Sequence, residues 1–108
     1  MTTVLVVDDS AMDRRLVGRL LQRNTDWKVL YASDADDALK QIELHVPDVV
    51  LTDVQMPGMS GLELLECLKE DYPLVPVVMM TSRGSEELAV KALESGAASY
   101  VPKTQAVH

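Results

Sequence analysis

With 108 residues, 47% of them hydrophobic, the chain has the size and apolar content of one domain around one core, with no room for a second. A formal net charge of −7, with basic residues scattered along the chain, argues against direct contact with nucleic acid or an anionic membrane, since both demand clustered Lys and Arg. A single cysteine, Cys67, excludes an internal disulfide and any thiolate metal site and fits a small helix residue in a reducing, cytoplasmic setting. No segment reads as a leader or approaches membrane-spanning length.

Strand and helix patterns alternate from the start. The β-branched run over residues 4–7 predicts a buried strand that ends on two adjacent carboxylates, Asp8 and Asp9. Ser10 is placed to cap a helix carrying Met12, Leu16, Val17, Leu20 and Leu21. A second strand is expected over residues 28–32, then a helix capped by Ser33 or Asp34 with Ala35, Ala38, Leu39 and Ile42 on one face. The third strand, residues 49–52, runs into Asp53 and a turn around Pro57 and Gly58, after which Ser60 opens a helix bearing Leu62, Leu65 and Leu68. A fourth strand over residues 75–80 ends at Thr81. Ser85, followed by Glu86 and Glu87, is expected to cap a helix that Gly96 stops, and residues 99–101 form the last strand.

Alternation of this kind predicts an α/β, doubly wound, flavodoxin-like sheet of five parallel strands, and the right-handed crossover rule favours the order 2-1-3-4-5. Strands one and three are then neighbours, and Asp8, Asp9 and Asp53 share the cleft where the strand order reverses. Carboxylates about 4 Å apart repel by roughly 4 kcal/mol at an effective dielectric near 20, so three converging acids require a metal cation, a proton or an ammonium. Lys103 supplies an ammonium. Taken alone, Asp8-Asp9 would be a helix-start pair favoured by the dipole; facing Asp53, the set reads as a metal site. The fifth helix usual in such a sheet is absent or truncated, because only residues 104–108, about one helical turn, follow Lys103. A face of several hundred square ångströms would then need another cover. The expectation is that residues 1–108 are the N-terminal part of a longer protein; a second copy or a further domain is the other available cover.

Four segments, V-L-V-V-D-D-S, L-T-D-V-Q-M-P-G-M-S-G, V-V-M-M-T-S and G-A-A-S-Y-V-P-K, stand in order at successive strand ends. Together they resemble the receiver domain of response regulators, the phosphoryl-accepting module of two-component signalling. The resemblance implies that Asp53, expected to be exposed enough for in-line attack, accepts a phosphoryl group from a histidine kinase or phosphotransfer protein. It implies Mg²⁺, with Mn²⁺ as a substitute, held by Asp9 and Asp53, by Asp8 directly or through water, and by the Gln55 carbonyl. Thr81 and Lys103 would contact phosphoryl oxygens, with the N–H groups of Val54 and Ser82 as further donors. Thr81 and Tyr100 would form a coupled conformational switch, and Gln55 and Arg83 would tune the lifetime of the phosphoaspartate. The domain would catalyse only its own phosphorylation and slow dephosphorylation, passing the signal to an output domain or target protein of a longer regulator, with a homodimer as the pairing that could cover the face left by the missing helix.

One departure from the family pattern is the order Pro102-Lys103-Thr104, in which proline precedes the lysine instead of following it. A cis Lys103–Thr104 bond would cost about 2.5–4 kcal/mol, so trans is expected. A pseudo-receiver that only binds partners is the main alternative. A phosphatase of the haloacid-dehalogenase type would place a second Asp where Gln55 stands, and a flavin carrier would need a hydroxyl- and glycine-rich first loop instead of Asp8-Asp9.

Overall fold

The computed structural model describes residues 2–24, 26–82 and 85–103. Along them run β1 (Thr2–Val7), α1 (Ala11–Leu21), β2 (Trp27–Ala32), α2 (Ala35–Leu44), β3 (Val49–Asp53), α3 (Gly61–Asp71), β4 (Val77–Thr81), α4 (Glu86–Glu94) and β5 (Ser99–Pro102). All neighbouring strands are parallel, in the order β2-β1-β3-β4-β5, as expected from the sequence. Residues 104–108 lie outside the described residues, so no fifth helix occurs among the described ones, and the expected trans Lys103–Thr104 bond also falls outside them.

The strand period of two divides the apolar residues between two faces. Leu5, Val7, Val50, Val77 and Met79 pack with Ala38 and Ile42 of α2, Leu64, Leu65 and Leu68 of α3, and Ala92 of α4. On the opposite face Val4, Val6 and Met80 meet Val17 of α1, with Leu21, Val29, Val49 and Leu51 at the margin. Each fully buried Leu or Ile stabilises the fold by roughly 1.5–3 kcal/mol relative to exposure. On this second face Val101 of β5 keeps 37% of its surface exposed.

Caps define most helix starts. Ser10 accepts from the Asp13 N–H, Asp34 accepts from the Asp37 N–H, and Ser60 exchanges reciprocal bonds with Glu63. Each is worth about 1 kcal/mol. Ser85 departs from expectation. Its backbone ψ of 11° is not extended, and its hydroxyl turns back to accept from the Ser82 N–H at 2.9 Å and donate to the Ser82 carbonyl at 2.7 Å. It therefore ties down the loop before α4 instead of capping the helix. Gly96, at φ 110°, ends α4 as expected.

The fourth strand begins two residues later than the apolar run suggests. Val75 N–H turns back to the Tyr72 carbonyl at 3.0 Å, and Pro76, without an N–H, contributes only its carbonyl, to Val50 N–H at 3.0 Å. Pro102 extends β5, an edge strand in which a missing donor leaves no partner unsatisfied.

Candidate functional site

Register brings the acids together. Val7 of β1 lies opposite Thr52 of β3, so the next residues, Asp8 and Asp53, emerge side by side from the carboxyl edge. Asp8 is fully buried. Its Oδ1 accepts from the Ser10 N–H at 3.0 Å, which ties it to the start of α1. Asp53 Oδ1 accepts from the Gln55 N–H at 3.2 Å. The backbone of Asp53 is wedged against α3, because a Cβ at Gly61 would run into the Asp53 carbonyl and approach Val54 Cα to 2.9 Å.

Lys103 projects from the end of β5 into this cleft. Its Nζ lies 2.8 Å from Asp8 Oδ2, 3.0 Å from Asp53 Oδ2 and 3.0 Å from Asp13 Oδ2. The like charges foreseen from the sequence are thus bridged by an ammonium. Burial by itself would push the ammonium down, but the three carboxylates outweigh it and hold Lys103 above its ordinary range. Asp8 is shifted the other way from a paired acid: burial raises it, and Lys103 and the Ser10 N–H only partly oppose the rise. Asp8 Oδ2 is enclosed, and the Lys103 ammonium at 2.8 Å is its partner.

Asp8, Asp9 and Asp53 can each offer one oxygen such that the three lie within 4.8 Å of one another. Asp9 is exposed at the mouth of the cleft, and the other two form its floor. Three hard carboxylate oxygens this close together, two of them on buried residues, suit a small divalent cation. The donor set therefore fits Mg²⁺.

Thr81 ends β4, buried, and stands opposite Pro102 in register, next to Lys103. Tyr100, opposite Met79, is partly exposed on β5. Gln55 is exposed beyond Asp53, while Arg83 lies outside the described residues. Two expectations are corrected. The Val54 N–H already donates to the Met80 carbonyl at 3.1 Å in the β3–β4 ladder, and the Ser82 N–H is taken by Ser85. Asp53 is also less accessible than expected, its side chain keeping 7% of its exposure beneath Lys103.

Sequence reasoning missed two participants. Asp13 sits one helical turn beyond Asp9, where an acid in the first turn of α1 reads as a dipole partner. Arg14 donates from Nη1 to the Asp8 carbonyl at 2.6 Å and so clamps the strand end from outside. An i, i+6 side chain-to-backbone contact leaves no periodic trace in sequence.

Fold and cleft together define a parallel α/β domain with an acid–lysine site at the switch point. The family described as the response regulator receiver domain matches residues 4–108. The DNA-binding transcriptional regulator NtrC of Proteus hauseri is 41% identical over 101 residues, which cover 93% of this chain and 21% of that protein. Protein-glutamate methylesterase/protein-glutamine glutaminase 1 of Dechloromonas aromatica is 44% identical over 108 residues, 97% of this chain and 31% of that one. Among solved structures, the receiver domain of NtrX from Brucella abortus superposes with a TM-score of 0.87 at 34% identity, covering 96% of this chain and 91% of that one. The chain belongs to the response regulator receiver domain family, the phosphoacceptor switch of two-component systems. It spans less than a third of the length of either of these two regulators.

Proposed function

We propose that Asp53 is the residue phosphorylated, by a histidine kinase or phosphotransfer protein, in the receiver portion of a longer regulator. The observation that carries this reading is the convergence of Lys103 Nζ on Asp53 and Asp8 at 3.0 and 2.8 Å, at the carboxyl edge of adjacent strands. An Asp53 oxygen attacks phosphorus in line as the bond from phosphorus to the donor nitrogen breaks, and the electron pair leaves with the donor imidazole. Lys103 then follows the growing negative charge from carboxylate to phosphoryl oxygen, and the Thr81 hydroxyl donates to another. The Gln55 N–H holds Asp53 Oδ1 in place during attack.

Asp9 and Asp53 would hold Mg²⁺ directly, with Asp8 direct or through water and the Gln55 carbonyl completing the protein ligands. When bound, the ion neutralises charge on the transferred group. On phosphorylation Thr81 moves toward Asp53 and Tyr100 turns from its partly exposed position into the vacated space, a shift limited by the phosphoryl group's differential contacts with the two states. Gln55 and Arg83, two residues beyond Asp53 and Thr81, tune the phosphoaspartate lifetime. An output domain or target protein reads the switch. No helix among the described residues is long and apolar enough to cross a membrane, in keeping with the proposal of a cytoplasmic signalling protein.

The test is incubation with acetyl phosphate, with and without Mg²⁺, followed by intact mass. One added phosphoryl group that needs Mg²⁺ and is lost in Asp53→Asn is the expected result; a folded protein that takes up none is a pseudo-receiver. Unchanged dephosphorylation in Gln55→Ala and Arg83→Ala would remove those residues from the account.

A further inference from the structure

Four of the five arginines, Arg14, Arg15, Arg19 and Arg23, fall within or just after α1, so the basic residues are less scattered than expected from the whole chain, four of the ten gathering at one helix. Arg15, Arg19 and Gln22 follow the i, i+4, i+7 spacing of one helix face, and Arg14 borders it. This face looks toward edge strand β2, where Tyr31 closes an open cavity of about 400 Å³ lined by Ala11, Arg14, Arg15, Arg19, Gln22 and Tyr31. The cavity shares no lining residue with the acid cleft, and Arg14 links the two through its contact with the Asp8 carbonyl.

The lining is held in shape. Tyr31 lies against the helix because residue 18 is glycine; a Cβ there would come within 2.7 Å of the ring carbons Cε1 and Cζ. Gln22 Nε2 donates to the Tyr31 hydroxyl at 3.2 Å, and Arg14 is anchored at the other end. Arg15 and Arg19, like charges one turn apart, repel on an isolated helix, yet among the described residues neither has a carboxylate partner although the chain carries 17 acidic residues. Three guanidiniums around a concave surface with an aromatic wall present forked donors for phosphate oxygens and a ring to stack on. The volume lies at the small-ligand end of the range for binding cavities.

We propose that the α1–β2 cavity binds a nucleoside diphosphate or triphosphate. Its phosphates lie against Arg15, Arg19 and the remaining N–H groups of Arg14, and its base rests on Tyr31 with Gln22 at its edge. A nucleic-acid strand is a poorer occupant, because the rest of the surface is acidic. The proposal is independent of the chemistry at Asp53.

The experiment is calorimetric titration of the intact chain with ADP, with inorganic pyrophosphate and with adenosine, alongside amide NMR mapping of α1 and β2. ADP is expected to bind with a Kd below about 1 mM, more tightly than either half alone. Arg15→Gln combined with Arg19→Gln should weaken it by about tenfold or more, and Tyr31→Leu should weaken ADP but not pyrophosphate. Both variants change exposed side chains and are checked for native circular dichroism. Pyrophosphate binding as tightly as ADP would overturn the nucleotide assignment. Absence of binding at about 1 mM, or shifts confined to the Asp53 cleft, would overturn the site.

Discussion

Replacing Lys103 with Met keeps the aliphatic stem and removes the charge that bridges Asp8, Asp13 and Asp53. At 2.8 to 3.0 Å and an effective dielectric near 20, each contact is worth roughly 6 kcal/mol before desolvation. Loss of the ammonium's own desolvation cancels much of this. Asp13, with a side chain 35% exposed, is screened and contributes little. What remains is a buried Asp8 and a nearly buried Asp53 facing each other without a partner, the circumstance in which removing one member of a buried pair costs about 3–5 kcal/mol. We expect about 3 kcal/mol near neutral pH without Mg²⁺, or a fall of roughly 13 °C in Tm for a domain of this size.

The sign of the pH dependence follows from the two shifts. Lys103 is raised, so its contribution is fully present below its ordinary value of 10.5 and is lost only as pH rises through its folded-state value; across pH 5–9 it is constant. Asp8 is also raised, by burial, so its contribution is present below 3.8 and is lost as pH rises through the folded-state value. Removing Lys103 raises Asp8 further, so the deficit of the variant should shrink as pH falls toward 4. Millimolar Mg²⁺ should shrink it at neutral pH by supplying the missing positive charge. Urea unfolding followed by circular dichroism, at three pH values with and without Mg²⁺, measures all of this. A loss below about 1 kcal/mol, or one indifferent to both pH and Mg²⁺, would refute the reasoning.

Other substitutions test separate links. Gly61→Ala forces a methyl into the backbone at Asp53 and Val54, and should cost about 2–3 kcal/mol and slow phosphoryl uptake, read by denaturation and by acetyl phosphate labelling. Ser85→Ala leaves the Ser82 N–H without its partner, while the Ser82 carbonyl keeps the Ser85 N–H at 3.1 Å, and should cost about 1–2 kcal/mol in urea denaturation; a smaller cost in Ser85→Ala than in Ser60→Ala, a true cap worth about 1 kcal/mol, would contradict this assignment. Asp13→Ala should cost less than about 1 kcal/mol in the same assay, because the side chain is partly solvated.

The strand order, the element pattern and the pairing of Asp8 with Asp53 were legible because strand-end acids follow unbroken β-branched runs whose topology is narrowly constrained. The need for a counter-cation among the acids was legible from Coulomb's law, and Lys103 filled it. What escaped was set by local geometry. Ser85 has the residue type of a cap, but the loop dictates a ψ that aims its hydroxyl backward. The Val54 amide was expected at the phosphoryl site, yet β3 runs one residue longer than its apolar stretch and the ladder claims that amide. Asp13, Arg14 and the arginine-lined cavity depend on how α1 rotates over β1 and β2, which side-chain spacing alone does not fix.

The central claim is that Asp53, and neither neighbouring acid, carries the phosphoryl group. An acyl phosphate is reduced by borohydride to the alcohol, so a phosphorylated aspartate becomes homoserine while free carboxylates are untouched. Wild-type protein treated with acetyl phosphate and Mg²⁺, reduced, digested and sequenced by mass spectrometry should carry homoserine at position 53 alone. Homoserine at Asp8, Asp9 or Asp13, or at none of them in a folded protein, would contradict the account.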